Sequence, residues 1–178
     1  MSEINNQNRI LNWKKGPVDS RDFKSVRHLS SPIDLPAEFE LDKRIPIYDQ
    51  GNIGSCVSNS ACACFRYESS QLAGNFDFEP SRLFEYYNAR KLQGWENEDS
   101  GAYIRDGFKA LNKWGLAKEA TWPYNDTLSA LTKQPTTNVY EDGLNAVAVK
   151  YAAVEQNERK IKIFFVEFIS FTVLCVPL

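Results

Sequence analysis

Between residues 55 and 115 the sequence lays out three helical patterns in succession, each followed by a glycine, and a chain built this way is committed to a helical core. The first follows Ser55, where Val57, Ala61, Cys64, Phe65 and Leu72 recur at helical spacing ahead of Gly74. The second, "EPSRLFEYYNARKLQG", has Pro80 suited to a first turn, Leu83, Phe84 and Tyr87 on one stripe, and Gly94 at its end. The third, "AYIRDGFKALNKWG", repeats Ile104, Phe108, Leu111 and Trp114 every three or four residues before Gly115. All three stripes are predicted to face a common core.

The flanking regions read differently. Residues 1 to 46 are polar and carry Pro17, Pro32, Pro36 and Pro46, which predicts an extended arm over the surface, anchored by Trp13, Phe23 and Leu35. "EATWPYND" is a turn, since Pro123 steers Trp122 away from helix. "NAVAVKYAAV" alternates as a strand does, and the tail "KIKIFFVEFISFTVLCVPL" is rich in strand formers. Glu167 breaks that tail short of the ~20 apolar residues a membrane helix needs, so no membrane span is predicted.

A chain of 178 residues holds one ordinary domain, and a net charge of −2 supplies no basic face for nucleic acid. The N-terminus lacks the features of a secretory signal, and four cysteines make no disulfide framework. Both point to a reducing, cytoplasmic setting. Cys62 and Cys64 diverge on a helix, and their spacing with Cys56 and His28 fits no common zinc pattern. These two cysteines and Cys175 read as packing, His28 as a surface histidine, and no metal or cofactor is called for. Glu96, Glu98 and Asp99 read as a solvated acidic loop, and Phe84, Tyr86 and Tyr87 as ordinary core.

The chemistry concentrates in "DQGNIGSC", residues 49–56. A cysteine in the first turn of a helix meets unpaired N–H groups and the positive end of the helix dipole, which favour thiolate over thiol. Gln50, six residues earlier, carries a neutral NH2 that can donate to an oxyanion forming beside the sulfur. Gly51 and Gly54 allow the turn that brings the two together. Such a constellation suits acyl transfer.

"DQGNIGSC" resembles the cysteine motif of the papain-like cysteine peptidases (C1 type), in which a glutamine precedes the nucleophile by the same six positions. "LPAEFELDKRIPIYDQG" is similar to the start of the mature enzyme, "DSGAYIRDGFKALNKWGL" to the family's glycine-containing segment and following helix, and "WPY" to its aromatic-proline-tyrosine turn. "GPVDSRD" is similar to the short leader of members without a long inhibitory prodomain. The resemblance runs from about Leu35 to about Ile163. It implies an α+β fold with the helical left domain present and the β-rich right domain incomplete. The domains would be a leader or arm over 1–34, a partial peptidase domain over 35–163 and a divergent apolar tail over 164–178.

The resemblance also implies roles. Cys56 matches the nucleophile, and Gln50 with the Cys56 N–H the oxyanion hole. Gly101 lies in the segment whose backbone binds an extended peptide, and Tyr103 where a residue lines the pocket for the second side chain on the acyl side. Ile53 stands where the family often has a disulfide cysteine. The family's histidine and asparagine would fall roughly 130–150 residues past Cys56, beyond Leu178. The expectation is therefore a thiol protease acting on a polypeptide substrate, truncated ahead of its histidine and impaired in hydrolysis. The alternatives are a catalytically inactive module that binds peptides or a partner, and a chain completed by a complementing partner chain.

Overall fold

The computed structural model describes residues 12–20, 22, 47–73, 78–148 and 151. Among the described residues five helices follow in order: α1 (Cys56–Ala73), α2 (Arg82–Lys91), α3 (Ile104–Trp114), α4 (Leu128–Leu131) and α5 (Thr137–Gly143). Two isolated bridges join distant segments, a parallel one between Lys14 and Tyr103 and an antiparallel one between Pro80 and Lys118. No strand ladder forms among the described residues. The first three helices pack on one another around Ile53, Val57, Leu83, Tyr86, Ala89 and Ala110. A second apolar cluster unites Cys62 and Phe65 of α1 with Phe78, Leu111, Leu116 and Ala146.

Each predicted helix exists, but its buried face is shifted or widened. On α1, Val57, Ala61 and Phe65 are buried as expected, whereas Cys64 is exposed and Cys62 fully buried. The helix buries a wide arc because the two clusters flank it, so Ser58 and Ser69 are also taken in. On α2, Pro80 lies ahead of the cap rather than in the first turn. Ser81 is the N-cap, its Oγ accepting the Phe84 N–H at 3.1 Å. From Leu83 to Arg90 every residue of α2 is buried, Glu85, Asn88 and Arg90 included.

On α3 the expected stripe is wrong at its start. Ile104 is 52% exposed, and the buried residues are Asp106, Gly107, Ala110 and Leu111. Small residues turn this face inward. A Cβ at Gly107 would lie 3.0 Å from Val57 Cγ1 and 3.1 Å from Glu85 Oε1, so close approach to α1 and α2 outweighs the burial of Ile104. Gly115 ends the helix with φ +67°, and its N–H donates to the Leu111 carbonyl at 3.1 Å.

Two short helices were not predicted. Thr127 Oγ1 caps α4 by accepting the Ala130 N–H at 3.3 Å, and Thr136 precedes α5. The start of the predicted strand, residues 145–148, is irregular and fastened to the end of α3: Leu116 N–H donates to the Ala146 carbonyl at 2.9 Å and Asn112 Nδ2 to the Ala148 carbonyl at 2.8 Å. Phe23, His28, Leu35, Cys175 and the apolar tail lie outside the described residues. Among the described residues no helix is long and apolar enough to cross a membrane.

Candidate active site

Cys56 is the first residue of α1 and half-buried, with Ser55 just before it accepting the Asn59 N–H at 3.0 Å. The preceding loop folds back on itself. Gln50, nearly buried, donates from Nε2 to the Ile53 carbonyl at 3.0 Å, and Ser55 N–H donates to the same carbonyl at 2.9 Å. One oxygen thus ties the glutamine side chain to the residue before Cys56. Gly51 makes the reversal possible with φ +60°, while Asp126 Oδ2 accepts both the backbone N–H and the side-chain amide of Asn52, at 2.9 and 2.7 Å. Gly54 has a different reason to be glycine: a Cβ there would come within 2.6 Å of the Asn12 Cβ.

Two flanks hold this loop. On one, Asn59 Nδ2 donates to Ser55 Oγ at 3.0 Å, Ser55 Oγ lies 2.6 Å from the Tyr124 hydroxyl, and that hydroxyl donates to the Gln50 carbonyl at 2.7 Å. Because Tyr124 uses its proton on Gln50, Ser55 is the donor to Tyr124, and the relay runs in one direction. Burial raises the Tyr124 pKa, against the pull of Ser55, Asn59 and Arg82, so the phenol keeps its proton. The Arg82 guanidinium stacks 3.9 Å from the Tyr124 ring centroid and donates to the Asp49 carbonyl at 3.1 Å.

The other flank is built on a carboxylate. Both oxygens of Asp99 accept the Gly54 N–H, at 3.0 and 3.1 Å, and Oδ1 accepts the Tyr86 hydroxyl at 2.5 Å. Tyr86 in turn accepts the Gly101 N–H at 3.0 Å. Burial and the Asp99 carboxylate together hold the Tyr86 pKa far above its ordinary value. The expected solvated loop is therefore corrected at Asp99, which is engaged by the chain on both sides. Arg90 makes this possible: it is fully buried and donates to the carbonyls of Tyr86, Glu96, Glu98 and Leu131, at 3.1, 3.1, 2.5 and 2.6 Å. A fork with five N–H donors can satisfy four carbonyls at once.

The N-terminal arm runs along the Gly101–Arg105 edge. Asn12 Nδ2 donates to the Asp99 carbonyl at 3.0 Å, and the Asn12 carbonyl lies against Gly101 where any Cβ would collide with it. Gly101 has φ +72°. Lys14 pairs with Tyr103, and Arg105 donates to the Pro17 carbonyl at 2.7 Å and pairs with Asp22. Trp13, expected as an anchor, is 54% exposed instead. The Gln50 side chain is thus tied into the loop that leads to Cys56. Gly101 and Tyr103 are placed on the adjoining edge, linked to that loop through Tyr86 and Asp99. Among the described residues no cluster of three or more histidine, cysteine or acidic side chains is arranged to hold a metal.

The chain is 38% identical over 122 residues to an uncharacterized peptidase C1-like protein of Acanthamoeba polyphaga mimivirus, a match covering 68% of this chain and 39% of that protein. It superposes on the crystal structure of xylellain, a cysteine protease from Xylella fastidiosa, with a TM-score of 0.80 and 36% identity over 85% of this chain. Together these two matches support assigning the chain to the papain-like cysteine peptidases. A structure of the mite allergens Blo t 1 and Der p 1 adds agreement of fold alone, at 19% identity, 82% of this chain and a TM-score of 0.66. No family model matches the chain. It spans 39% of the viral relative and 61% of xylellain, and its five helices correspond to the helical domain of the papain-like fold.

Sequence reasoning missed Asp99, Tyr86, Arg90 and Tyr124 as supports of the papain-like loop. Only Tyr124 had a signal, its place in "WPY". The arginine and the aspartate are individually ordinary surface residue types, and the burial of Arg90 and the engagement of Asp99 follow only from the packed loop.

Proposed function

We propose that this chain carries the nucleophile side of a peptide-hydrolysing cleft. The observation that carries the reading is the shared Ile53 carbonyl, which fixes the Gln50 side chain and the residue preceding Cys56 in one rigid loop. The Cys56 thiolate attacks the scissile carbonyl carbon, forming a C–S bond as the carbonyl π electrons move to oxygen. The Gln50 side-chain amide and the Cys56 N–H donate to that oxygen. Collapse expels the amine with a proton from a histidine, and water then cleaves the thioester. That proton transfer is the resemblance's assignment, and the one histidine of the sequence, His28, lies outside the described residues.

On this reading, the backbone around Gly101 and Tyr103 receives an extended polypeptide. The arm at present lies along that same edge, so a peptide must displace it. This occupation also favours the second reading, a peptide- or partner-binding module without turnover. Labelling with an epoxide-type reagent for cysteine peptidases, with Cys56→Ala as control and the adduct located by mass spectrometry, separates the two. Fast labelling at Cys56 alone supports the peptidase; slow labelling spread over all cysteines supports the binding module.

A further inference from the structure

Residues 12 to 16 alternate between the edge and solvent, as an extended chain must. Asn12, Lys14 and Gly16 are partly covered, while Trp13 and Lys15 are exposed. This register leaves the large apolar side chain in water and takes in the lysine, the reverse of what apolar anchoring alone would select. The reason lies across the edge. Lys14 Nζ sits 4.2 Å from the centroid of the Trp95 ring, and Trp95 meets the Tyr103 ring edge-on with centroids 5.4 Å apart. An indole face is the strongest of the aromatic faces for a cation. The ring is held independently of the lysine, since Trp95 N–H donates to the Arg90 carbonyl at 3.1 Å and Arg90 fixes the carbonyls on either side of Asn97.

We propose that the Trp95–Tyr103 pair is a subsite for a basic side chain, lysine or arginine, of a peptide lying along the Gly101–Tyr103 edge, and that Lys14 fills it in the free protein. This rests on the reading of that edge as peptide-binding and adds a substrate class to it. A peptide with a basic residue at this position reproduces the contact that the arm already makes. One with an acidic residue meets the negative face of the indole.

The test uses the full chain carrying Lys14→Ala, which empties the subsite, and two dye-labelled peptides derived from residues 11–17, LNWKKGP. One has norleucine in place of the first lysine and the other in place of the second, so their charge and composition are identical. Fluorescence anisotropy should show the peptide that keeps the first lysine binding about three- to thirtyfold more tightly. Trp95→Leu should erase the difference without weakening the other peptide, and Trp95→Phe, which preserves a ring and its packing, should leave a reduced difference. Chains with Lys14 intact should bind both peptides more weakly. Equal affinities, or no binding of either peptide, overturn the proposal. Epoxide labelling run in parallel keeps the two readings apart. Lysine-dependent binding without Cys56 labelling retires the peptidase and leaves the subsite. Cys56 labelling with equal peptide affinities does the opposite.

Discussion

The two flanks of the Gln50–Cys56 loop are held by different chemistry. On the Tyr124 side the hydrogen-bond relay is uncharged and runs one way, from Asn59 through Ser55 and Tyr124 to the Gln50 carbonyl, with Arg82 stacked on the tyrosine ring. On the Asp99 side a carboxylate receives the Gly54 N–H and the Tyr86 hydroxyl, and the network continues to Gly101 and the arm. The uncharged flank fixes the loop's shape locally. The charged flank joins that shape to whatever occupies the neighbouring edge, so disturbance there should be felt at both places.

Asp99→Ala should have the largest effect on the charged flank. It strands the Gly54 N–H and the Tyr86 hydroxyl, and hydrogen bonds to a charged group contribute about 1.5–3 kcal/mol each, so a loss on the order of 3 kcal/mol is expected by urea unfolding. It should also release the arm, seen as faster exchange of amide hydrogens over residues 12–20. Destabilisation with the arm still protected would show that the flank does not couple the two.

Glu85 sets a pH-dependent background for both flanks. It is buried under Gly107, and burial pushes its carboxyl from 4.5 to about 7 against the opposing pulls of Ser58 and Arg90. Between these values the unfolded chain sheds its proton while the folded chain keeps it, so stability present at low pH is lost as pH rises toward about 7. Glu85→Gln should remove that loss, gaining about 3 kcal/mol over the parent at pH 8 and nearly nothing at pH 4. A parallel pH dependence in the two proteins would show that Glu85 is not the source.

Tyr124→Phe removes one hydroxyl from the uncharged flank and should cost about 1–2 kcal/mol. Measured in the Glu85→Gln background, that cost should be the same from pH 5 to pH 8, because no member of the relay changes charge in that range. A cost that varies across the range would remove the distinction between the flanks.

Gly101→Ala should have the smallest effect on stability, about 1 kcal/mol for a left-handed residue that acquires a Cβ. The new methyl group collides with the Asn12 carbonyl, so trypsin cleavage after Lys15 should accelerate severalfold. Unchanged cleavage would mean that the Asn12–Gly101 contact does not hold the arm and that Lys14 and Arg105 do.

Much of this was legible in the sequence. The helices α1, α2 and α3 follow from periodicity, with Gly94 and Gly115 closing the latter two, and Cys62 and Cys64 diverge as two residues 200° apart on a helical wheel must. The spacing of Gln50 and Cys56 identified the loop that the fold then ties together at Ile53. Periodicity failed on α3, where Gly107 and Ala110 rather than Ile104 decide the buried face, because small residues score poorly as apolar yet permit the closest packing. It also failed for Asp99 and Arg90. The burial of Arg90 depends on carbonyls contributed by separate segments, the loop at 96–98 and Leu131 on α4, and the engagement of Asp99 depends on the distant Gly54 N–H and Tyr86 hydroxyl; no local pattern encodes such convergence.

The arm described along the Gly101–Arg105 edge is covalently part of the molecule that it covers. Fastened by Asn12 near one end and by Pro17 and Asp22 at the other, it is, on the proposed peptide-binding reading of that edge, an intramolecular ligand, and tethered ligands have effective concentrations up to the order of millimolar. A free peptide supplied at micromolar concentration competes against that value, so the intact chain should discriminate strongly against dilute ligands and bind chiefly those that are abundant, multivalent or delivered close to the cleft.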